Sequence, residues 1–371
     1  MKENEEELSE ILSKIKLPFE DVMTSARARV DDLVKPPGSL GKLEDFAVKL
    51  SGITGKIKNN INKKCIIIMC ADNGIYEEKV SSCPQEVTVS QAINFVRGIT
   101  GVGVLANNVG SDLKVVDIGM KSIVNYKGII DRKIRKSTYN IAKGFAMSRE
   151  EAVKGIMIGI DMVSQVKEEG YSLIGTGEMG ICNTSTSSAV LIALTGISIN
   201  QAVGRGAGLT DEGYENKKKA IAKALSINKP DSKDPIDVLS KVGGFDIAGM
   251  VGCFIGGAYY RLPVVIDGFI SAVAALIAYR LNPLVKEYIF ASHASYEVGY
   301  KKAIDSIGLA PMFDLNMRLG EGSGCPIAFS IIEASCAMIN NMATFKEAEI
   351  NDDYLNKIRA VGLEAFEVGI L

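Results

Sequence analysis

Short apolar runs, each followed by a small or acidic residue, recur along the chain from about residue 64 onward. The runs are rich in β-branched residues and lack polar alternation, which is typical of strands buried on both faces of a parallel sheet. Amphipathic stretches at 90–107, 148–168 and 216–225 lie between them. This order predicts a doubly wound α/β fold. The predicted strands are residues 65–71, 113–116, 172–174, 263–266 and 288–291.

Both ends of the chain are predicted to be helical. Apolar residues recur at helical spacing through 8–15 and 43–50, and a rigid Lys-Pro-Pro-Gly turn at 35–38 separates the two stretches. The chain becomes helical again in two stretches between 327 and 366. We expect residues 1–60 and 327–371 to form a small helical domain, and residues 61–326 to form a large α/β domain.

The charge balance argues against a nucleic-acid partner. The 44 acidic and 42 basic side chains give a net charge of −2, only 6% of the residues are aromatic, and the chain has no tryptophan. It therefore offers neither a basic surface for phosphate backbones nor an aromatic platform for bases. The seven cysteines include no C-x-x-C pair, and only one histidine could complete a nitrogen and sulfur site. We expect no metal centre, no disulfide framework and no cofactor.

No export or membrane-spanning segment is predicted. The N-terminal residues MKENEEELSE are acidic and polar, whereas a secretory signal needs basic residues followed by an apolar core. The most apolar region, residues 242–281, is interrupted by Asp246, Arg261 and Asp267, so no part of it is long enough to span a bilayer. We expect buried core elements in this region and a cytoplasmic protein.

Polar residues follow directly after the predicted strands. Five segments stand at such positions: Asp72-Asn73-Gly74, Asp117, Gly175–Gly180, Asp267-Gly268 and Ser292-His293. Because the carboxyl ends of parallel strands form the ligand crevice of an open sheet, these residues are expected to converge on one pocket. Each of them alone could equally be a turn or cap residue. Their number favours a ligand site.

Residues 175–180 read Gly-Thr-Gly-Glu-Met-Gly and match G-x-G-x-x-G between a predicted strand and a predicted helix at 183–194. Such glycines let backbone N–H groups and a helix N-terminus approach a phosphate. A dinucleotide fold also needs an acidic residue about 20 positions further on, but the first acid after Glu178 is Asp211. We therefore expect a mononucleotide phosphate at this loop, with Glu178 at the sugar hydroxyls. A purely structural glycine turn is the alternative.

Two further glycine-rich segments carry charged residues. Residues 204–208 are followed by the lysines 217–219, one of which could reach an anion, although three successive lysines are usually a solvated helix face. In residues 318–324, Glu321 has glycines on both sides. These glycines would allow a flat ligand to approach, and a carboxylate held there could take a proton from it. A surface turn is the competing interpretation, but the apolar neighbours Met317 and Leu319 favour a functional Glu321.

Seven segments of the chain form a distinctive set: KPPGSLGKLE at 35–44, MCADNG at 69–74, GTGEMG at 175–180 with NT at 183–184, DVLSKVGGFD at 237–246, VIDGF at 265–269, SH at 292–293 and MRLGEGSG at 317–324. Together they resemble one family, the nicotinate-nucleotide:dimethylbenzimidazole phosphoribosyltransferases. They run in the family's order over nearly the whole sequence, and the first and last are long and unusual, so the match is specific.

The resemblance implies a Rossmann-like parallel sheet flanked by helices, and a smaller domain built from both chain ends. It implies a homodimer, or pairing with a paralogous subunit as in some relatives. It also implies the reaction: the 5-phosphoribosyl group of nicotinate mononucleotide moves to a nitrogen of 5,6-dimethylbenzimidazole or a related aromatic base. The products are an α-linked nucleotide for cobamide assembly and nicotinate.

The resemblance further assigns roles to single residues. Glu321 is the expected general base, Glu178 and Lys217 are expected at the sugar and the phosphate, and Gln91 and Cys83 are expected to line the base pocket. The full set of expected substrate-binding residues is Asn73, Cys83, Gln91, Gly177, Gly180, Asn183, Thr184, Gly206, Asp267, Ser292, Met317, Leu319 and Gly320.

The sequence departs from the family's pattern at a few positions. Asn73 stands where Asp-His-Gly is common, Cys83 stands where a small hydroxyl residue can occur, and Ile181-Cys182 stands where a smaller pair often precedes the asparagine. Asn73 and Cys83 are expected to border the base pocket. The identity of the base therefore stays open.

Two rival functions fit less well. A transferase that uses phosphoribosyl pyrophosphate needs two adjacent acids after an apolar strand, whereas Asp31-Asp32 and Asp352-Asp353 stand in charged helical surroundings. The other rival is a nucleotide- or cobamide-binding protein or a divergent subunit of a paired enzyme, either non-catalytic or phenol-activating. A non-catalytic subunit predicts loss of the carboxylates, but Glu178 and Glu321 are both present.

Overall fold

Six parallel strands form one sheet in the computed structural model, which describes residues 2–206 and 208–355. The strand order is β3-β2-β1-β4-β5-β6, and all neighbouring strands run parallel. The chain changes direction across the sheet between β1 and β4, the point at which open α/β sheets bind ligands. The predicted Rossmann-like parallel sheet is confirmed. The strands are β1 Lys64–Ala71, β2 Asp112–Gly119, β3 Ile129–Asp131, β4 Leu173–Met179, β5 Val264–Ile266 and β6 Ile289–Ala291.

Helices connect the strands and flank the sheet. Short 3-10 helices lie at Gly74–Glu78, Pro283–Tyr288 and Asp353–Leu355. The α-helices of the described residues are α1 Lys2–Lys14, α2 Glu20–Asp31, α3 Lys42–Thr54, α4 Val87–Val96, α5 Gly101–Asn108, α6 Arg149–Glu168, α7 Asn183–Thr195, α8 Ile199–Ala202, α9 Asp211–Asn228, α10 Pro235–Val242, α11 Phe245–Tyr260, α12 Phe269–Leu281, α13 Tyr300–Ile307 and α14 Cys325–Asn341.

The core lies where the sequence is most apolar. All eight residues of β1 are buried, as expected for a central strand covered on both faces. In the region 242–281, helices α11 and α12 are buried over nearly their whole length and β5 is buried entirely. The predicted buried core elements of this region are confirmed.

One segment of the described chain, Val87–Asn108, has the length and apolar composition of a membrane span. It consists of two helices, because Gly98 adopts a φ of +71° after α4 and Thr100 caps α5 by accepting a hydrogen bond from the Gly103 backbone. A third of its most apolar window is buried. The segment is a partly buried core helix pair, and the single predicted helix at 90–107 is two helices.

The chain divides into two compact units. The sheet unit comprises Met1–Lys16 and Asn62–Ala328, and the small unit comprises Leu17–Ile61 and the chain from Phe329 onward. Helix α1 therefore groups with the sheet, whereas the sequence placed residues 1–60 together. The reason is its apolar face: Leu8 and Ile11 are buried, and α1 packs against α6 and α11.

The small unit has its own core and a buried ion pair. Its core includes Val30 and Ala47, which cluster with Ile339 from the C-terminal part of the chain. Within the Lys-Pro-Pro-Gly segment, Lys35 Nζ lies 2.8 Å from a carboxylate oxygen of Glu44, and both side chains are buried. The same oxygen of Glu44 accepts a hydrogen bond from the Leu40 backbone, so the pair also holds the turn.

Three local predictions differ from the structure. Strand β3 was not expected, since it has only three residues and lies at the sheet edge. The interpretation of 175–180 as a phosphate loop is wrong for residues 175–179, which belong to β4. The expected helix at 343–366 is absent as far as Leu355, where the chain forms turns and a 3-10 helix, and residues 356–366 lie outside the described chain.

Candidate active site

A cavity of about 510 Å³ opens at the carboxyl ends of β4 and β5. Its walls come from the sheet unit: helix α4, the turns after β4 and β5, helix α9 and the segment before α14. The polar and charged residues that line it are Ser81, Ser82, Gln91, Glu178, Asn183, Thr184, Arg205, Lys217, Asp267, Ser271, Ser295, Glu297, Arg318 and Glu321.

Glu321 is held in an unusual backbone conformation. Its φ is +65°, and its neighbours Gly320 and Gly322 have φ values of +82° and +89°. A non-glycine residue in this left-handed region costs conformational energy, and such strain tends to occur at functional sites. The side chain is 8% exposed, and Gln91 donates a hydrogen bond to its Oε1 at 2.7 Å. Its Oε2 has no hydrogen-bond partner among the described residues.

Two buried carboxyls hold the backbone around Glu321. Glu178 Oε1 accepts a hydrogen bond from the Glu321 backbone at 3.3 Å. Asp267 accepts two more, from the Gly322 backbone at 2.9 Å and the Gly324 backbone at 2.7 Å. Successive backbone N–H groups in a turn form a concavity that binds negative charge. The carboxyls of β4 and of the turn after β5 therefore determine where Glu321 lies.

Glycine is required where the segment that carries Glu321 lies against the end of β4. A Cβ on Gly177 would lie 2.6 Å from the Glu321 carbonyl oxygen, and a Cβ on Gly320 would lie 2.7 Å from Glu178 Oε1. Both distances are shorter than real contacts. Gly177 thus serves a close approach of the β4 backbone to the segment that carries Glu321.

Burial changes the proton affinity of these carboxyls. It raises the pKa of Glu178 well above its ordinary value, and the neighbouring carboxyls of Asp246 and Asp267 raise it further. It also raises the pKa of Glu321, whereas the hydrogen bond from Gln91 lowers it. A carboxyl with a raised pKa is a stronger base once ionised, which suits proton transfer near neutral pH.

Lys217 of α9 is the buried cation of the cavity. It is 1% exposed, and its Nζ donates to Thr184 Oγ1 at 2.9 Å and to the Gly204 carbonyl at 3.0 Å. Burial lowers its pKa to about 8. Gly206, with a φ of +54°, lies against both Thr184 and Lys217. The ammonium group and the N-terminus of α7 together form a suitable place for an anion.

The other side of the cavity is mostly apolar. Val80, Val87, Ile181 and Leu319 line it together with the half-buried thiol of Cys83. The Cys83 backbone accepts a hydrogen bond from Ser81 Oγ and donates one to it, so the segment is fixed by its neighbour. An apolar slot that ends at one carboxylate is suited to a flat aromatic ligand with a polar edge.

Comparisons with known proteins agree with this geometry. The sequence profile of a family described as phosphoribosyltransferase matches residues 15–350. A nicotinate-nucleotide–dimethylbenzimidazole phosphoribosyltransferase of Clostridium perfringens is 55% identical over 352 residues, covering 95% of this chain and 98% of the relative. The enzyme of the same name from Geobacter sulfurreducens is 47% identical over 349 residues, covering 94% and 99%. The chain belongs to the nicotinate-nucleotide–dimethylbenzimidazole phosphoribosyltransferase family.

A solved structure of this family has the same fold. The crystal structure of CobT from Thermus thermophilus superposes with a TM-score of 0.85 at 35% identity, and the match covers 90% of this chain and 99% of that one. The resemblance read from the seven sequence segments is confirmed.

The structure brings most of the expected phosphoribosyltransferase site residues to one cavity, whereas the others do not line it. Glu321, Glu178 and Lys217 all line the cavity, as do Cys83, Gln91, Gly180, Asn183, Thr184, Gly206, Asp267, Leu319 and Gly320. The expected residues that do not line it are Asn73, Gly177, Ser292 and Met317, together with Asp72, Asp117 and His293.

Two of these residues support the site from behind. Asn73 is fully buried, and its side chain contacts the Ile181 carbonyl at 3.4 Å and Thr186 Oγ1 at 3.5 Å. It therefore lies below the turn after β4 and does not line the cavity, where the sequence had placed it. Ser292 Oγ donates to the Asp267 carbonyl at 3.0 Å, which fixes the turn that carries this carboxyl.

Sequence reasoning missed several lining residues of the phosphoribosyltransferase cavity. Arg205 and Arg318 stand inside the two glycine-rich segments, so their position in these motifs was the available signal. Glu297 gave no such signal. Burial raises the pKa of Glu297, while Lys217 and Arg318 lower it, so the three groups form a mixed-charge side of the cavity. No cluster of three His, Cys, Asp or Glu side chains in the described chain is arranged to hold a metal ion.

Proposed function

We propose that this protein transfers the 5-phosphoribosyl group of nicotinate mononucleotide to a ring nitrogen of 5,6-dimethylbenzimidazole or a related aromatic base. The family and the printed names of its relatives support this activity. The observation that carries it in this chain is Glu321, a strained and buried carboxyl with one oxygen free of protein partners among the described residues, at the edge of an apolar slot.

The bond changes require one proton acceptor. The bond between C1′ of the ribose and the pyridinium nitrogen breaks, and its electron pair returns to the ring and gives nicotinate. The lone pair of the base nitrogen forms the new bond to C1′ from the opposite face, which gives the α-linked nucleotide. The proton on the other ring nitrogen then passes to Glu321. Because pyridinium is already a good leaving group, no acid is needed at the nucleotide side.

Lys217, Thr184 and Gly206 hold the 5′-phosphate in this proposal. The ammonium group of Lys217 is already oriented by Thr184 and by the Gly204 carbonyl, so little rearrangement is needed to bind an anion. The N-terminus of α7, which begins at Asn183 and carries Thr184, adds the positive end of its helix dipole near the same place.

Glu178 and Asp267 face the ribose in this proposal. Departure of nicotinate develops positive charge at C1′, and a nearby carboxylate stabilises such charge in a site from which water is excluded. The two carboxyls also hold the backbone around Glu321 in place. They therefore orient the proton acceptor Glu321 as well as stabilise the charge on the ribose.

The base occupies the apolar slot between Cys83, Gln91 and Leu319. Asn183, Gly180 and Gly320 complete its surroundings. The thiol of Cys83 is a weak hydrogen-bond donor and acceptor, so it places little demand on the polarity of the ring edge. A homodimer in the cytoplasm and the absence of a bound cofactor belong to the same proposal. The retained carboxyls Glu178 and Glu321 favour a catalytic subunit over a non-catalytic one.

The test incubates the purified protein with nicotinate mononucleotide and one acceptor in each reaction: dimethylbenzimidazole, adenine or a phenol. A further reaction contains no acceptor. Chromatography measures the nicotinate released and the new nucleotide formed, which are expected in equal amounts. Release only in the presence of a base is expected. Nicotinate release at the same rate without base would indicate hydrolysis, and no release with any base would contradict the proposal.

A further inference from the structure

Asp246 is a buried acid that the reaction does not use directly. It stands in the first turn of α11, in the DVLSKVGGFD segment, and it does not line the cavity. Its side chain is 0% exposed. Oδ2 accepts a hydrogen bond from Asn183 Nδ2 at 3.1 Å, whereas Oδ1 has no hydrogen-bond partner among the described residues.

The amide of Asn183 joins Asp246 to the cavity. An asparagine amide nitrogen carries two hydrogens. Asn183 Nδ2 donates both to Asp246 Oδ2 and to Glu178 Oε2. The other oxygen of Glu178 accepts from the Glu321 backbone. An unbroken series of hydrogen bonds therefore runs from Asp246 through Asn183 and Glu178 to Glu321.

Two glycines make room for this carboxyl. A Cβ on Gly244 would lie 2.4 Å from Asp246 Oδ1, and a Cβ on Gly180 would lie 3.2 Å from Asp246 Oδ2. The same Cβ on Gly180 would lie 2.1 Å from the Ala71 carbonyl oxygen. The absence of a side chain at Gly244 and Gly180 thus leaves room for the two carboxyl oxygens of Asp246.

A carboxyl in this place does not serve stability well. Burial of a carboxyl costs free energy unless hydrogen bonds compensate it, and an apolar side chain of similar volume is often at least as stable. Burial raises the pKa of Asp246 to about 7, although the hydrogen bond from Asn183 and the backbone N–H groups of Asp246 and Ile247 lower it. A role in the site explains why an acid occupies the position.

We propose that Asp246 is a positioning residue for the reaction: by holding one N–H of Asn183 it directs the other to Glu178, which in turn fixes the backbone of Glu321. Because Asn183 could otherwise rotate its amide, loss of the acceptor at 246 frees Glu178 and the strained segment that carries Glu321. This inference rests on the proposed phosphoribosyl transfer.

The competing interpretation is that Asp246 only stabilises the start of α11. An acid in the first turn of a helix interacts favourably with the helix dipole. That role would change the melting temperature and leave the catalytic constants alone. The two interpretations therefore differ in kcat.

The experiment compares Asp246→Ala with Asp246→Asn. The asparagine variant keeps an oxygen that accepts from Asn183, so it is expected to retain most of kcat. The alanine variant is expected to lose kcat by up to about 100-fold, the cost of displacing a catalytic group by roughly 1 Å. The KM values for both substrates are expected to change much less. Asp117→Asn is the matched control, because Asp117 is a buried acid on β2 that does not line the cavity.

A double-mutant cycle shows whether Asp246 acts through Asn183. In the Asn183→Ala background, Asp246→Ala is expected to lower kcat no further. Circular dichroism and thermal unfolding verify that each variant is folded. If the alanine variant is not, Asp246→Ser, whose shorter side chain cannot reach Asn183 in the same way, carries the test and is expected to lose kcat likewise. Full kcat in Asp246→Ala, multiplicative losses in the cycle, or an asparagine variant as slow as the alanine one would overturn the proposal. An inactive wild type would instead refute the proposed function.

Discussion

Gln91 donates from Nε2 to Oε1 of Glu321 at 2.7 Å and leaves Oε2 as the oxygen without a partner among the described residues. The amide thus selects which oxygen of the carboxyl stays available to a substrate. It also stabilises the ionised form, since a hydrogen bond to a carboxylate favours that form. Helix α4 therefore orients a carboxyl that the segment before α14 carries.

Replacement of Glu321 by glutamine is expected to abolish most turnover without unfolding the protein. The amide keeps the shape of the carboxyl but cannot accept the proton, and general base catalysis typically contributes about 10²- to 10⁴-fold. Steady-state assays of nicotinate release measure the loss. Glu150→Gln, at an exposed position on α6, is the control and should leave turnover unchanged. A Glu321→Gln enzyme with near wild-type turnover would show that another group takes the proton.

Replacement of Gln91 by leucine is expected to move the acidic limb of the pH profile to higher pH. Burial already holds the pKa of Glu321 above its ordinary value, and the hydrogen bond from Gln91 opposes that shift. Without this bond the pKa rises further, so the base becomes ionised only at higher pH. The profile of kcat/KM reports the free enzyme and is the measurement to use. Gln165→Leu, on α6 outside the cavity, should leave the limb in place, and an unchanged limb in Gln91→Leu would contradict the assignment.

Replacement of Lys217 by methionine is expected to raise the KM for nicotinate mononucleotide by roughly 10- to 100-fold, the size of one charged hydrogen bond. The KM for the base should stay the same. Nicotinate riboside, which lacks the phosphate, is the internal control. Wild type and Lys217→Met should use it with the same kcat/KM. An equal loss with the riboside would place Lys217 away from the phosphate.

Lys217 also predicts how binding depends on pH. Burial lowers the pKa of its ammonium group to about 8, so the free enzyme loses this positive charge as the pH rises through that value. The KM for nicotinate mononucleotide is therefore expected to increase above about pH 8 and to be flat below it. The same dependence should be absent in Lys217→Met. A KM that stays constant up to about two pH units above that pKa in the wild type would mean that Lys217 does not bind the phosphate.

The sequence was sufficient for the parallel sheet because buried strands such as β1 consist of continuous apolar runs. It was also sufficient for the convergence of Glu178 and Asp267, since both stand at the ends of strands, whereas the place of Glu321 beside them came from the family resemblance. The link between Asn183 and Asp246 could not be predicted, because these residues are 63 positions apart and only the packing of α11 brings them together. The motif at 175–180 predicted a phosphate loop, but residues 175–179 belong to β4. A glycine such as Gly177 that lies against another backbone segment can occupy the same position in the motif as a glycine that lies against a phosphate.

The replacement of Cys83 by serine is expected to change the choice of base while leaving the nucleotide site intact. Cys83 lines the apolar slot, whereas Lys217 and Thr184 lie on the anion side of the cavity. A hydroxyl forms stronger hydrogen bonds than a thiol, and one such bond contributes roughly 0.5–1.5 kcal/mol, so the ratio of turnover between dimethylbenzimidazole and adenine should change by a few-fold to about tenfold. Competition assays with both bases in one reaction measure the ratio directly. Cys336→Ser, outside the cavity, is the control for loss of a thiol. If the ratio is unchanged, or if only the KM for nicotinate mononucleotide moves, Cys83 is a small apolar wall residue with no part in selecting the base.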